Sequence, residues 1–227
     1  MAAGSAMVVL ADSRKFHGHC VAGRLWQAEK ACGSWLRPVA EQLNAGLNAS
    51  SLICSDGLGA GVLDVVGLDL GLPAPYRHQS ENRTLKAGRW ERMGRIGWNE
   101  LENLSDSNTD SLWLDGHSSM GGQNDRVPES FLDNLASSLM LIRVEKLALS
   151  SGLNPYGRRA LRGRFARAGR RYDFAVTDPF FWEQLPVDSS VVLDEAYVCL
   201  SLGLPFEGNA YKLIAAVITP SRARKVA

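Results

Sequence analysis

The sequence predicts a mainly β chain: two OB-like β-barrels with a helical or irregular insertion. Three observations carry this. The last third holds five extended apolar runs, SLMLIRVEKLAL, RALRGRFA, RYDFAVT, AYVCLSL and NAYKLIAAVI. Between the third and fourth stands DPFFWEQLPVDSS, a short helix with a proline stop. Three strands in a meander, a helix and two more strands is the order of an OB barrel. Near the N-terminus, four shorter runs separated by Gly- and Asn-rich loops read as a second, less regular barrel. The division implied is an N-terminal unit, 1–137, carrying the insertion at 72–134, and a C-terminal barrel, 138–227.

In order, Met7–Ala11 is a buried strand and Asp12–Lys15 a polar turn. His19–Trp26 is a second strand, with Gly18 and Gly23 placed to allow a bend or bulge. Trp35–Val39 is a third, ended or edged by Pro38. Glu41–Leu47 reads as one helical turn, and Val62–Leu70 as a fourth strand with Asp64 and Asp69 facing out. From Leu72 to Asn134 the pattern weakens. Thr84–Met93 and Trp98–Leu104 read as short helices, Ser105–Ser111 as a loop, and Glu129–Ala136 as a brief helix. Val127 precedes Pro128 and is pushed out of helix geometry. The stretch is too long for a plain loop and is expected to pack across both barrels.

The second and third runs of the last barrel carry seven arginines and no lysine between residues 158 and 171: Arg158, Arg159, Arg162, Arg164, Arg167, Arg170 and Arg171. Ala168-Gly169-Arg170 supplies the hairpin turn, with Gly169 free to take positive φ. Period-two alternation puts Tyr172, Phe174 and Val176 on one face, opposite Leu161 and Phe165. Arg162, Arg164 and Arg171 fall on the other face, with Asp173. Burying each large apolar side chain contributes about 1.5–3 kcal/mol. That outweighs repulsion among exposed arginines, which salt screens beyond about 8–10 Å. A buried apolar set and a basic face near Tyr156 are expected.

Charge supports a local site. The net charge of +1 divides into −4 over residues 1–136 and +5 over 137–227. A basic part beside an acidic part points to a polyanion site on the basic part. The cysteines Cys20, Cys32, Cys54 and Cys199 form no CxxC pair, so a reducing cytoplasm is expected rather than a disulfide framework. MAAGSAMVVLAD has no basic start before a long apolar stretch, unlike a secretory signal. No window approaches ~18 uninterrupted apolar residues, so no membrane partner is expected. His17, His19 and Cys20 lack a completing ligand pair, and in a strand Cys20 faces away from the two histidines. There is no GxSxG and no P-loop. Neither a metal, a cofactor nor a catalytic residue is expected.

The runs LADSRK, WLRPV, HQSEN, LWLDG, GGQNDRVPES, LMLIRVE, RYDFAVTDP and CLSLGLPFEGNAYKLIAAVI resemble, in this order, the dual OB-containing domain family of prokaryotic conflict and defence systems. The resemblance spans about Met7 to Ile218. It implies two OB-like barrels and a role in recognising nucleic acid or nucleotides. It brings no catalytic triad.

Each candidate site has a functional and a structural reading. The arginine run either pairs with phosphates or guards a strand edge with charge. Arginine without lysine favours planar, bidentate phosphate contacts. Tyr156, in the loop GLNPYGRR, is the stacking candidate, while Phe180, Phe181 and Trp182 read as a helix plugging the barrel. His78, Gln79, Glu81 and Asn82 form a polar loop that either contacts a base or ties the insertion to a barrel. Asn124, Asp125 and Arg126 either line the same cleft or order a turn. Asp178 before Pro179 reads as a helix N-cap. The leading expectation is a non-catalytic module binding single-stranded nucleic acid or a nucleotide, as an accessory or sensor with a defence-system partner. Two alternatives stand beside it: an enzyme or small-nucleotide receptor with its site between the barrels, and a scaffold docking an acidic protein.

Overall fold

The computed structural model describes residues 5–15, 18–26, 33–40, 46–106 and 110–224. His17, Cys32 and most of the expected turn at 41–47 lie outside these residues.

The N-terminal strands are β1 (Ser5–Lys15), β2 (Gly18–Leu25), β3 (Trp35–Val39), β4 (Asp64–Leu68), β5 (Leu70–Pro73), β6 (Asn82–Leu85) and β7 (Glu91–Arg95). Strand β1 pairs antiparallel with β2 and β4, and β2 with β3. Strand β3 runs parallel to β6, and β6 pairs with β5. Because β5 continues β4 past the single residue Asp69, the ring closes with the pairing order of an OB barrel. Strand β7 adds to the outside of β4. Met7 to Ala11 is buried at every position, so β1 packs on both faces. The register of β1 against β2 shifts between Val9 and Ala11, opposite Gly23. A Cβ at Gly23 would come within 1.9 Å of the Val8 carbonyl oxygen, so only glycine fits there.

The insertion differs from the expectation. Residues 84–93 are not helical: β6 and β7 occupy half of that stretch, and β6 completes the first barrel. Gly88, at φ +156°, interrupts the run where a helix would need continuity. Two short helical turns do form, α1 (Leu101–Leu104) and a 3₁₀ turn at Glu129–Asn134. Strand β8 (Arg126–Pro128) contains the extended Val127 and pairs with the last strand of the second barrel. Residues 112–132 therefore pack on the C-terminal barrel: Leu112 is in its core, and Val127 and Leu132 pack with Leu202 and Ala210.

The C-terminal barrel comprises β9 (Leu139–Leu153), β10 (Arg159–Arg167), β11 (Arg170–Val176), helix α2 (Pro179–Gln184), β12 (Ser189–Leu202) and β13 (Asn209–Ile218); a last turn, α3 (Pro220–Arg224), follows. Strand β9 pairs with β10 and β12, β10 with β11, β12 with β13, and β11 runs parallel to β13. This closed ring, with α2 between its third and fourth strands, is the OB order. Asp178 caps α2 by accepting from the Phe180 N–H at 3.0 Å. Its other oxygen accepts from the Val217 N–H at 2.8 Å and the Arg222 guanidinium at 2.6 Å, so a fully buried carboxylate ties helix, β13 and α3 together.

The two barrels pack on each other through one apolar cluster, and the second barrel keeps a further core of its own around Leu147, Phe174 and Ile214. Leu139, Leu141, Tyr197, Cys199, Ala216 and Ile218 of the second pack in the same cluster as Met7, Leu10 and Leu36 of the first. No helix among the described residues is long and apolar enough to cross a membrane.

Candidate nucleic-acid interface

The hairpin turn sits at Ala168 and Gly169, both with positive φ (46° and 72°), which matches the twist of the flanking strands. The turn fixes the register: Phe165 opposes Tyr172, Arg164 opposes Asp173 and Ala166 opposes Arg171. Leu161, Phe165, Tyr172, Phe174 and Val176 are all buried, as the alternation requires. Phe165 and Tyr172 stack at 5.2 Å, and Phe174 meets both edge-on at 5.6 Å.

The outer face is basic but partly neutralised. Asp173 accepts from Arg162 Nε at 2.8 Å on one oxygen and from Arg164 Nε at 2.7 Å on the other. Arg162 is half-buried, with Asp125 4.0 Å away. Arg164 stays more than half exposed. Arg170 donates to the Asp110 carbonyl at 3.1 Å and lies 3.7 Å from Asp115. Arg167 donates to the Arg143 carbonyl at 3.4 Å. Arg158 and Arg171 are exposed and make no side-chain hydrogen bond or ion pair among the described residues.

Arg159 departs from the set. It is half-buried and donates to the carbonyls of Trp182, at 2.6 Å, and Leu185. Its guanidinium lies 4.8 Å from the Trp182 ring centre. It braces the C-terminal end of α2, where helix carbonyls lack partners. Beside it, Asn154 orders the loop between β9 and β10 by accepting from the N–H groups of Tyr156 and Arg158, each at 3.0 Å. Tyr156 itself is 83% exposed.

The residues expected to share one cleft fall into two groups. His78 and Glu81 are buried between the barrels. Glu81 pairs with Arg37 at 3.2 Å and accepts from the Ser138 hydroxyl; His78 Nε2 lies 3.3 Å from the Leu202 carbonyl. Burial holds the His78 pKa below its ordinary value. Asn82 and Gln79 line a cavity beside this network. Asn124, Asp125 and Arg126 sit instead on the second barrel. Asp125 accepts from the Ser119 N–H at 2.7 Å and its hydroxyl at 2.6 Å. Asn124 donates to the Arg171 carbonyl at 2.9 Å, and Arg126 leads β8. The two groups share no hydrogen bond or ion pair among the described residues.

Sequence reasoning misses Arg37. Its only signal is an arginine set between apolar residues inside the strand WLRPV. Lys212 is missed as well. Its ammonium donates to the Leu114 carbonyl at 2.6 Å and lies 3.4 Å from Asp115, and burial lowers its pKa to about 8.

Two closed rings with the OB pairing order, joined through one apolar cluster, define a dual-barrel protein of the OB class. The family model described as the dual OB-containing domain matches residues 5–217, so the chain belongs to that family. A solved structure described as the crystal structure of the tetrameric p202 HIN2 is similar at a TM-score of 0.33 and 10% identity, covering 95% of this chain and 92% of that one. Comparison with curated proteins gives no match.

Proposed function

We propose that the chain is a binding module for single-stranded nucleic acid, with the strand lying on the outer face of β10 and β11. In OB folds this face, with the loops joining the first to the second strand and the fourth to the fifth, takes oligonucleotides. The observation that carries the reading is the exposure of Arg164 and Arg171 toward the hairpin turn, and of Arg158 with Tyr156 in the loop at the other end of β10, along one face. Guanidinium groups meet phosphates in bidentate fashion and an exposed ring stacks a base, the two parts a sequence-tolerant single-strand site needs. Arg162 lies within this face but is half-buried and held by Asp173, Arg167 stands at the hairpin turn, and Arg159 acts only by holding α2. Phe206, exposed in the loop between β12 and β13, lies where a second base would stack.

The division of labour we propose is a C-terminal unit, 138–227, that binds, and an N-terminal unit, 1–137, that packs against it. A non-catalytic accessory or sensor role in a prokaryotic defence system, in the cytoplasm, rests on the family's motifs and on the buried cysteines Cys54 and Cys199, outside any disulfide. Fluorescence polarisation with labelled single-stranded DNA, single-stranded RNA and duplex tests the reading. Single strands should bind better than duplex, and binding should weaken as salt rises, because phosphate contacts release counterions. Absence of binding at low salt would remove the proposal. Tight binding of an acidic peptide in competition with the oligonucleotide would move the face to protein docking.

A further inference from the structure

The loop at 116–124, GHSSMGGQN, runs along the edge of β11. Gln123 and Asp173 exchange backbone hydrogen bonds there, at 3.3 and 3.0 Å. Asn124 closes the base of the loop. Its side chain accepts from the Gly116 N–H at 2.7 Å and donates to the Arg171 carbonyl at 2.9 Å. The carboxylates on either side of the loop each face a hairpin cation: Asp115 lies 3.7 Å from Arg170, and Asp125 4.0 Å from Arg162.

The loop also covers Arg162. A Cβ at Gly122 would stand 2.6 Å from Arg162 Nη2 and closer still to Asp125 Oδ2. Gly122 has no left-handed φ, so close approach alone excludes a side chain there. Arg164 supplies the comparison. It lies two residues on in β10, on the same face, and both arginines donate through Nε to Asp173. Yet the Arg162 side chain is 21% exposed and that of Arg164 is 55% exposed. What lies over Arg162 and not over Arg164 is the loop, with the Gly122 backbone against Nη2.

The tip of the loop is lightly held. Ser119 donates to Asp125 through its N–H at 2.7 Å and its hydroxyl at 2.6 Å. Beyond it Met120 is 96% exposed and Gly121 has open space around it, so lifting the tip costs no apolar burial at either position. We infer that residues 116–124 form a flap that screens Arg162 and gates the oligonucleotide face. The inference rests on the reading of that face as a nucleic-acid site. A phosphate on the Nη edge of Arg162 and the Gly122 backbone exclude each other. Flap and strand therefore compete, and each weakens the other by the same factor. With the flap down the face offers Arg158, Arg164 and Arg171; with it raised, Arg162 joins them.

Phenylglyoxal modification of the full chain, mapped by peptide mass spectrometry, reads the flap without any ligand. Arg162 should react several times more slowly than Arg164 in the native chain. Gly122→Val, whose side chain collides with Arg162 and Asp125, should raise the Arg162 rate to that of Arg164. Ser119→Ala removes one of the two bonds holding the tip and should raise the rate partway, which keeps the test open if Gly122→Val does not fold. Polarisation with a single-stranded oligonucleotide then reads the gate. Gly122→Val should bind more tightly, with a log–log salt slope steeper by about 0.7 for one added phosphate contact, and adding Arg162→Ala should cancel the gain. Equal reactivity of Arg162 and Arg164 in the native chain, or an Arg162 rate that neither variant changes, would overturn the flap. A faster Arg162 with unchanged affinity would overturn its gating. Absence of oligonucleotide binding in the native chain and both variants would remove the function proposed for the face and the gating with it, while the Arg162 rate would still decide whether the flap exists.

Discussion

Lys212 is fully enclosed, its ammonium between the Leu114 carbonyl, Asp115 and the rings of Tyr172 and Phe174. Burial lowers its pKa to about 8 from 10.5, so between those values the unfolded chain binds more protons than the folded one. Stability should therefore rise with pH across that window. Cys199 opposes this at higher pH, since its thiol is pushed up from 9.0 to about 12 and the unfolded thiol ionises first. Urea denaturation between pH 7.5 and 9 should show the rise in the native chain and not in Lys212→Met. An equal slope in both would assign the pH response to another group. Glu81 makes a sharper case. It and Arg37 are buried together, and removing one partner leaves an uncompensated charge. Glu81→Ala should cost about 3–5 kcal/mol in chemical denaturation. A loss below about 1 kcal/mol, the range of exposed pairs, would show that the pair is solvated in solution.

At the scale of elements, the β10–β11 hairpin combines a core made by alternation with a face made by charge. Asp173 decides how much of that charge is available, because it holds both Arg162 and Arg164. Asp173→Asn should free both guanidinium groups, tighten oligonucleotide binding and steepen its salt dependence. Weaker binding would mean that Asp173 orients the arginines for phosphate rather than competing with it. The hairpin is legible in the sequence because its pattern is local: two apolar residues on one strand, three on the other and a glycine turn. Strands β6, β7 and β8 are not. NRTL and ERMGR are mostly polar, and their extended state is imposed by distant partners, β3 and β4. Arg159 reads as one of the exposed arginines for a similar reason. Alternation cannot show that the carbonyls it braces lie on α2, 23 and 26 residues further on. His78 and Glu81 are legible as a polar cluster, but their partners Leu202, Ser138 and Arg37 are remote in sequence, so a cleft and an internal clasp look alike.

The two barrels are tied together by one apolar cluster to which both contribute. Leu139, Leu141 and Tyr197 pack in the same cluster as β1, and Arg37, Glu81 and Ser138 bond across the junction. Neither barrel can unfold without exposing that shared surface. Far-ultraviolet circular dichroism and tryptophan fluorescence should therefore report one coincident transition. Trp90 sits in the core shared by the barrels and Trp182 beside the second core, so fluorescence samples both. Two separated transitions would show that the junction contributes little. The central claim is that the outer face of β10 and β11 holds a nucleic-acid strand. Its most direct test is the salt dependence of single-stranded oligonucleotide binding, measured by polarisation for the native chain and for Arg158→Ala/Arg164→Ala/Arg171→Ala. The variant should bind more weakly, with a log–log salt slope shallower by about 0.7 for each phosphate it no longer neutralises. Its thermal stability should change little, since exposed substitutions stay within about 0.5 kcal/mol. Equal affinity and equal slope in the two proteins would contradict the claim.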